Sequence, residues 1–101
     1  MMKLGILVNT DRHLKHILGL AAAATAKNHE VVIFAMDEGV RLLDNKSFAD
    51  LGGQKGVSLS FCSHSAREQG IETEGRPEGI TVGSQLNNAM MAQAVDRMIV
   101  L

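Results

Sequence analysis

The chain is poor in aromatic residues and has no concentration of positive charge. Its 101 residues include three Phe but no Trp and no Tyr, so few side chains are available to stack on nucleic-acid bases. Ten Lys and Arg residues stand against eleven Asp and Glu residues, for a net charge of −1, and no basic run is present to bind phosphates. The composition therefore predicts neither a nucleic-acid partner nor an anionic membrane partner.

Long apolar runs and cysteine pairs are also missing. The most apolar segment, "LGLAAAATA", is too short to cross a bilayer, and the N-terminal "MMKLGILVNTD" lacks the apolar core and cleavage site of a signal peptide. A cytoplasmic location is therefore expected. The single cysteine excludes an intrachain disulfide, a Cys-based zinc cluster and a dithiol redox couple.

Cofactor and metal motifs are absent as well. The segment Leu51–Gly56, "LGGQKG", matches neither GxxxxGK[ST] nor GxGxxG, so it is interpreted as a flexible turn. His13 and His16 are three residues apart on a predicted helix, but no third ligand falls at a supporting spacing. They are interpreted as part of a solvated helix face, and neither a cofactor nor a metal is expected.

Short apolar runs alternate with longer amphipathic ones over the whole chain, which predicts one compact domain over residues 1–101. The order β-α-β-α-β-α-β-α-β implies a parallel sheet with helices on both faces. Strands are predicted over Lys3–Asn9, Glu30–Asp37, Val57–Cys62, Ile80–Val82 and Asp96–Leu101, helices over Arg12–Asn28, Ser63–Gln69 and Ser84–Val95, and helical turns within Glu38–Asn45 and Lys46–Gly56.

Cys62 lies where the third predicted strand meets a helix start, at the sheet edge where parallel folds gather their chemistry. Helix-start N–H groups favour a thiolate and the position favours exposure, whereas free cysteines are often buried structural residues. Both interpretations remain open on the residues alone. Four neighbours can support a thiolate, by hydrogen bonding or by positive charge: Ser63, Ser65, His64 and Arg67.

Other polar residues are predicted at the same edge. Asp11, Asp37 and Glu38 follow the first two strands, where capping of helix N-termini is favoured over acid–base catalysis. Thr10 and Asp11 are both good caps for the first helix. A triad of Ser63, His64 and Asp37 can be drawn, but no GxSxG nucleophile elbow supports it.

The segment Gly56–Ile71, "GVSLSFCSHSAREQGI", resembles the signature of the DsrE/DsrF/DsrH-like family, which includes the TusD-type sulfurtransferase subunits. The segments "GVRLL", "PEGITV" and "DRMIVL" are also similar to that family in order and spacing. The resemblance implies a three-layer α/β/α fold with a five-stranded parallel sheet, usually in homo- or hetero-oligomers. It also implies that Cys62 carries sulfur as a persulfide and passes it to a small sulfur-carrier protein.

The function expected from residues and resemblance together is that of a sulfur carrier or sulfurtransferase-like homo-oligomer that acts through Cys62. Transfer would follow the chemistry of disulfide exchange, with a partner thiolate attacking the outer sulfur. Two alternatives stay open. One is a non-catalytic oligomeric domain that binds a small ligand or a partner, and the other is a thiol redox sensor.

Overall fold

The computed structural model describes residues 2–101 and confirms the predicted five-stranded sheet, in which every strand pair is parallel. The sheet order is β4-β3-β2-β1-β5. The central strands β1, β2 and β3 are six residues long and the two edge strands are four residues long. The strands are β1 Lys3–Val8, β2 Glu30–Ala35, β3 Val57–Cys62, β4 Ile80–Gly83 and β5 Arg97–Val100.

Four α-helices and two 3-10 helices connect these strands. The α-helices are α1 Leu14–Ala26, α2 Lys46–Asp50, α3 Ser63–Glu68 and α4 Gln85–Ala94, and the 3-10 helices are Asp37–Asp44 and Leu51–Gly53. From β1 to β4 each crossover moves one strand further in the same direction, whereas the β4–β5 crossover returns past β1. Because parallel crossovers are right-handed, the first three lie on one face of the sheet and α4 lies on the other.

The hydrophobic core is likewise divided between the two faces of the sheet, since successive residues of a strand point to opposite faces. We call the two faces the α1 side and the α4 side. The α1 side is thickly covered, and its buried residues include Ile6, Val8, Ile33, Leu59 and Phe61 from the strands and Ile17, Ala21, Phe48 and Ala66 from the helices. The α4 side is thinner, with buried Phe34, Cys62 and Met91 packed against Leu7, Val32, Met36 and Val95.

Helix boundaries agree with several sequence predictions. Ser84 caps α4 through a reciprocal capping box with Asn87, as its place before the helix predicts. Gly70, at φ 70°, follows α3, and the Gly70 N–H donates to the carbonyl of Arg67. A positive φ suits glycine, which has no Cβ. The predicted C-terminal stop at Gly70 is therefore confirmed.

The predicted caps of α1 are wrong. The N-cap is His13, and its side chain makes no capping hydrogen bond. Thr10 Oγ1 instead donates to the carbonyl of Leu101 at 3.0 Å, and Asp11 forms an ion pair with Arg41 at 3.7 Å. Both side chains contact residues that are distant in the sequence, because the segment after β1 lies across the carboxyl edge of the sheet before α1 begins.

The segment after β2 forms a longer 3-10 helix than the predicted turn and short helix. Its N-cap is Met36, so Asp37 and Glu38 lie in its first turn rather than at the capping position. Gly39 brings this turn onto the end of β1, where a Cβ would collide with the Val8 carbonyl oxygen. Over residues 2–101, no helix has both the length and the apolar character needed to cross a membrane.

Candidate functional site

Cys62 is both the last residue of β3 and the N-cap of α3, as its place in the sequence predicts. The backbone is extended there, at φ −80° and ψ 119°, and the helix starts at the next residue. An N-cap side chain faces the free N–H groups of the first helical turn. The sulfur therefore lies beside the start of α3, although it makes no capping hydrogen bond of ordinary geometry.

The exposure that the position of Cys62 favours is not found, and the structure shows the buried alternative. Only 3% of the residue is accessible, and it packs with Phe34 and Met91 on the α4 side. The cause is the return crossover, because α4 crosses this face of the sheet and adds Met91, its only buried residue, to the cluster that holds Cys62. A free cysteine in such surroundings also serves as a small apolar side chain.

The sulfur nevertheless sits among hydrogen-bond donors. Burial raises the pKa of the Cys62 thiol, but hydrogen bonds outweigh burial and leave the pKa below its ordinary value. The donors, in falling order of effect, are the Ser65 side chain, the Ser65 backbone N–H, the Gln85 side chain and the His64 backbone N–H. The local structure therefore favours the thiolate although the residue is buried.

Ser65 contributes the largest of the hydrogen-bond effects on the pKa of the Cys62 thiol. It is 4% exposed and is the one buried polar residue among residues 2–101. Its Oγ accepts a hydrogen bond of 2.9 Å from the Asp37 backbone N–H, which joins α3 to the 3-10 helix. Asp37 has a positive φ of 50°, a conformation that costs energy in residues other than glycine.

Gln85 was not anticipated from the sequence. It is the first residue of α4 and follows β4, whose Gly83 pairs with Cys62. Its amide reaches the Cys62 sulfur and also donates to Met36 Sδ at 3.9 Å. The available signal was a polar residue just after a neighbouring strand, but the strand order had to be known before that signal could be used.

The other predicted supporting residues are placed differently from Ser65. Ser63 and Arg67 line an open groove of about 320 Å³ with residues 70–73, and neither side chain contributes a hydrogen bond to the sulfur. The His64 side chain is 73% exposed and pairs with Glu68 at 3.2 Å. Only its backbone N–H serves the thiol, so its imidazole supplies no charge to Cys62.

Two other sequence constellations do not form sites. The drawn triad is not assembled, since His64 pairs with Glu68 and the Asp37 contact to α3 is a backbone bond to Ser65. His13 and His16 meet edge to face, with ring centroids 6.0 Å apart. Among residues 2–101, no group of three or more His, Cys, Asp or Glu residues could hold a metal ion.

The segment Leu51–Gly56 also differs from its interpretation as a flexible turn. Residues Leu51–Gly53 form a 3-10 turn that packs against the segment before β4. Gly79, at φ 102°, approaches Gly52 so closely that a Cβ on Gly79 would collide with the Gly52 carbonyl oxygen. The glycines therefore allow two backbone segments to meet.

Comparison with solved structures shows the same fold in two other proteins. The ychN protein from E. coli matches with a TM-score of 0.81 at 19% identity, and MTH1491 from Methanobacterium thermoautotrophicum, a protein of unknown function, with 0.78 at 18%. Each match covers all of both chains. No curated protein matches the sequence. The model of the DsrE/DsrF-like family, however, matches residues 2–101, and the chain therefore belongs to that family.

Proposed function

We propose that this protein is a sulfur carrier that holds a persulfide on Cys62 and relays the sulfur to a partner protein. The observation that carries the proposal is the set of hydrogen-bond donors around the sulfur, which lowers the pKa of Cys62 against the effect of burial. A purely structural cysteine has no need of such donors. Membership of a family associated with sulfur relay supports the same function.

The chemistry needs two thiolate exchanges. In the first, the Cys62 thiolate attacks the outer sulfur of a donor persulfide, the donor's S–S bond breaks, and the donor leaves as a thiolate. In the second, an acceptor thiolate attacks the outer sulfur now on Cys62, and Cys62 leaves as a thiolate. A low pKa favours both steps, because it populates the attacking anion and makes Cys62 a better leaving group.

The burial of Cys62 places a condition on this relay. Neither a donor nor an acceptor can reach the thiol of a residue that is 3% exposed, so the cover must open for both loading and transfer. The cover is formed by Met91 and Gln85 of α4, together with Met36. Because Met91 is the only buried residue of α4, little apolar contact holds this helix on the sheet.

Sulfur loading can be tested by intact mass after incubation with a small-molecule persulfide. The expected result is one added sulfur atom on the wild-type chain and none on Cys62→Ser. Two oxygen atoms have the same nominal mass as one sulfur, and the chain has six Met, so each sample is measured again after reduction with a thiol. A persulfide is lost on reduction, whereas methionine sulfoxide stays. An adduct that Cys62→Ser also shows would refute the proposal, as would no adduct.

One observation favours a second function, that of a non-catalytic ligand- or partner-binding domain. Cys62 packs with Phe34 and Met91 as an apolar core residue does. Under this function, a ligand or partner would stabilise the protein equally in wild type and Cys62→Ser. Unfolding curves of both proteins, with and without the candidate ligand, separate the two functions.

We also propose that the chain is a homo-oligomer that buries the outer face of α4. Leu86 and Met90, four residues apart on this helix, are 68% and 61% exposed, and Met98 and Val100 on β5 are exposed on the same side of the sheet. Exposed apolar patches of this kind mark interaction surfaces. Sedimentation should show an oligomer that Leu86→Glu weakens, and a monomer at micromolar wild-type protein would contradict this assembly.

A further inference from the structure

Ser65 holds one hydrogen bond that fixes the direction of another. Its Oγ accepts from the Asp37 backbone N–H at 2.9 Å. A hydroxyl carries a single hydrogen, which rotates to suit its partners. Once one side of the oxygen is occupied by the Asp37 N–H, the hydroxyl hydrogen is turned away from Asp37. In residues 2–101 the Ser65 hydroxyl donates to no carbonyl or carboxylate oxygen, so its hydrogen remains available to another acceptor.

The backbone arrangement makes this direction rigid. Asp37 has a positive φ of 50° and begins the 3-10 helix that packs against α3. Ser65 is 4% exposed, so water does not compete for its oxygen. Ser65 also lies three residues after the N-cap Cys62, where a helix directs its N3 backbone N–H back to the cap.

We propose that Ser65 is a positioning residue for Cys62, whose hydroxyl is anchored by the Asp37 backbone N–H and donates its hydrogen to the sulfur. This inference rests on the proposed sulfur relay for its functional meaning. In that relay the negative charge sits on the outer sulfur while Cys62 is loaded and returns to Cys62 when the acceptor departs with that sulfur. The Ser65 hydrogen bond therefore favours the release step, because it stabilises the thiolate that leaves.

The charged groups near the site do not lower the pKa of Cys62 as the Ser65 hydroxyl does. The elements around Cys62 carry Asp37, Glu38, Arg41 and Asp44 on the 3-10 helix and His64, Arg67 and Glu68 on α3, and α4 carries no charged residue. The carboxylates would raise rather than lower the pKa of a nearby thiol. The His64 and Arg67 side chains are exposed and do not contact the sulfur, and Arg41 pairs with Asp11 and Glu38. Removal of the Ser65 hydroxyl should therefore raise the pKa of Cys62.

The test is a thiolate titration followed by absorbance at about 240 nm, where thiolates absorb more than thiols. The chain suits this measurement, since it has one Cys and no Trp or Tyr, and Cys62→Ser supplies the baseline. Thr and Val have nearly equal volumes and differ by the hydroxyl, so Ser65→Thr and Ser65→Val form a matched pair. Ser65→Ala is a smaller change that a helix tolerates well.

The expected result is a titration midpoint at higher pH in Ser65→Ala and Ser65→Val than in wild type. Ser65→Thr and the control Ser63→Ala should keep the wild-type midpoint. Equal midpoints in the Thr and Val variants, or an unchanged midpoint in Ser65→Ala, would overturn the inference. Circular dichroism establishes that each variant is folded before it is titrated.

Sulfur loading, measured by mass, keeps this test separate from that of the relay. If wild type fails to load sulfur while the Ser65 midpoints shift, the relay is wrong and the positioning role stands. If wild type loads sulfur and the midpoints do not shift, the relay stands and the positioning role is wrong. When both hold, Ser65→Ala should also release its outer sulfur to a thiol severalfold more slowly than Ser63→Ala.

Discussion

Truncation of Met91 should uncover Cys62. Met91 is 5% exposed and is the only buried side chain of α4, and it belongs to the small apolar cluster that also contains Cys62 and Phe34. Replacing a buried Met by Ala costs about 2–5 kcal/mol. We take the lower end, about 2 kcal/mol, because α4 covers a thin core and the site can partly collapse. If that loss weakens the closed state alone, the open fraction rises about 30-fold, since about 1.4 kcal/mol is a factor of ten.

The assay is the rate at which excess iodoacetamide alkylates Cys62, followed by intact mass at fixed pH. Met91→Ala should react about 30-fold faster than wild type, in proportion to the open fraction. Met2 is 40% exposed and lies outside α4, so Met2→Ala supplies a matched control whose rate stays near that of wild type.

Low concentrations of urea distinguish local opening from global unfolding. Opening of α4 exposes little surface, so the alkylation rate should rise weakly with urea, whereas a global route would follow the full unfolding m-value. A Met91→Ala rate no faster than that of Met2→Ala would show that Met91 does not cover the thiol. A rate with the urea dependence of global unfolding would show that α4 does not open on its own.

Three further perturbations have defined outcomes. Ser84→Ala removes the cap of α4, which costs about 1 kcal/mol, and should speed alkylation of Cys62 about fivefold; an unchanged rate would show that the cap does not hold the cover. Arg76→Ala removes hydrogen bonds to the Leu43 carbonyl at 3.0 Å and the Asp44 carboxylate at 2.8 Å. This side chain is only 14% exposed, so we expect a loss of about 1–3 kcal/mol in urea unfolding, and a loss within error would contradict its structural role. Finally, the folded state lowers the pKa of Cys62, so the unfolded state binds more protons below the ordinary thiol value of about 8.5. The stability of wild type relative to Cys62→Ser should rise with pH up to that value and fall as pH drops through the folded pKa, and urea midpoints that differ by a constant amount across this range would exclude the effect.

The alternation of apolar and amphipathic runs was sufficient to predict the parallel sheet, because buried strands such as "EVVIFA" differ clearly from the alanine-rich α1. The position of Cys62 between β3 and α3 followed from the same pattern. The burial of Cys62 could not be predicted in this way. The face of the sheet that α4 covers depends on which side of β1 the last strand, β5, joins. Strand order arises from long-range pairing, such as Gly5 with Met98, that local sequence does not encode.

The same limit applies to the partners of the thiol. Ser63 and Ser65 are equally plausible donors in the sequence, yet only Ser65 faces inward on the first turn of α3. Gln85 lies 23 residues after Cys62 and reaches the sulfur only because β4 pairs with β3. Thr10 was assigned as a cap from its local preference, but its hydroxyl bonds the distant Leu101 carbonyl.

The return crossover has a consequence for the new chain during synthesis. Met91 is made 29 residues after Cys62, an interval of about 1.5–6 s at about 5–20 residues per second. Throughout that interval the thiol precedes its own cover, and the chain holds no second cysteine with which it could pair. An oxidant that meets the nascent chain would form a sulfenic acid or a mixed disulfide with a small thiol. Protection of Cys62 thus begins only when α4 has been made and has packed onto the sheet.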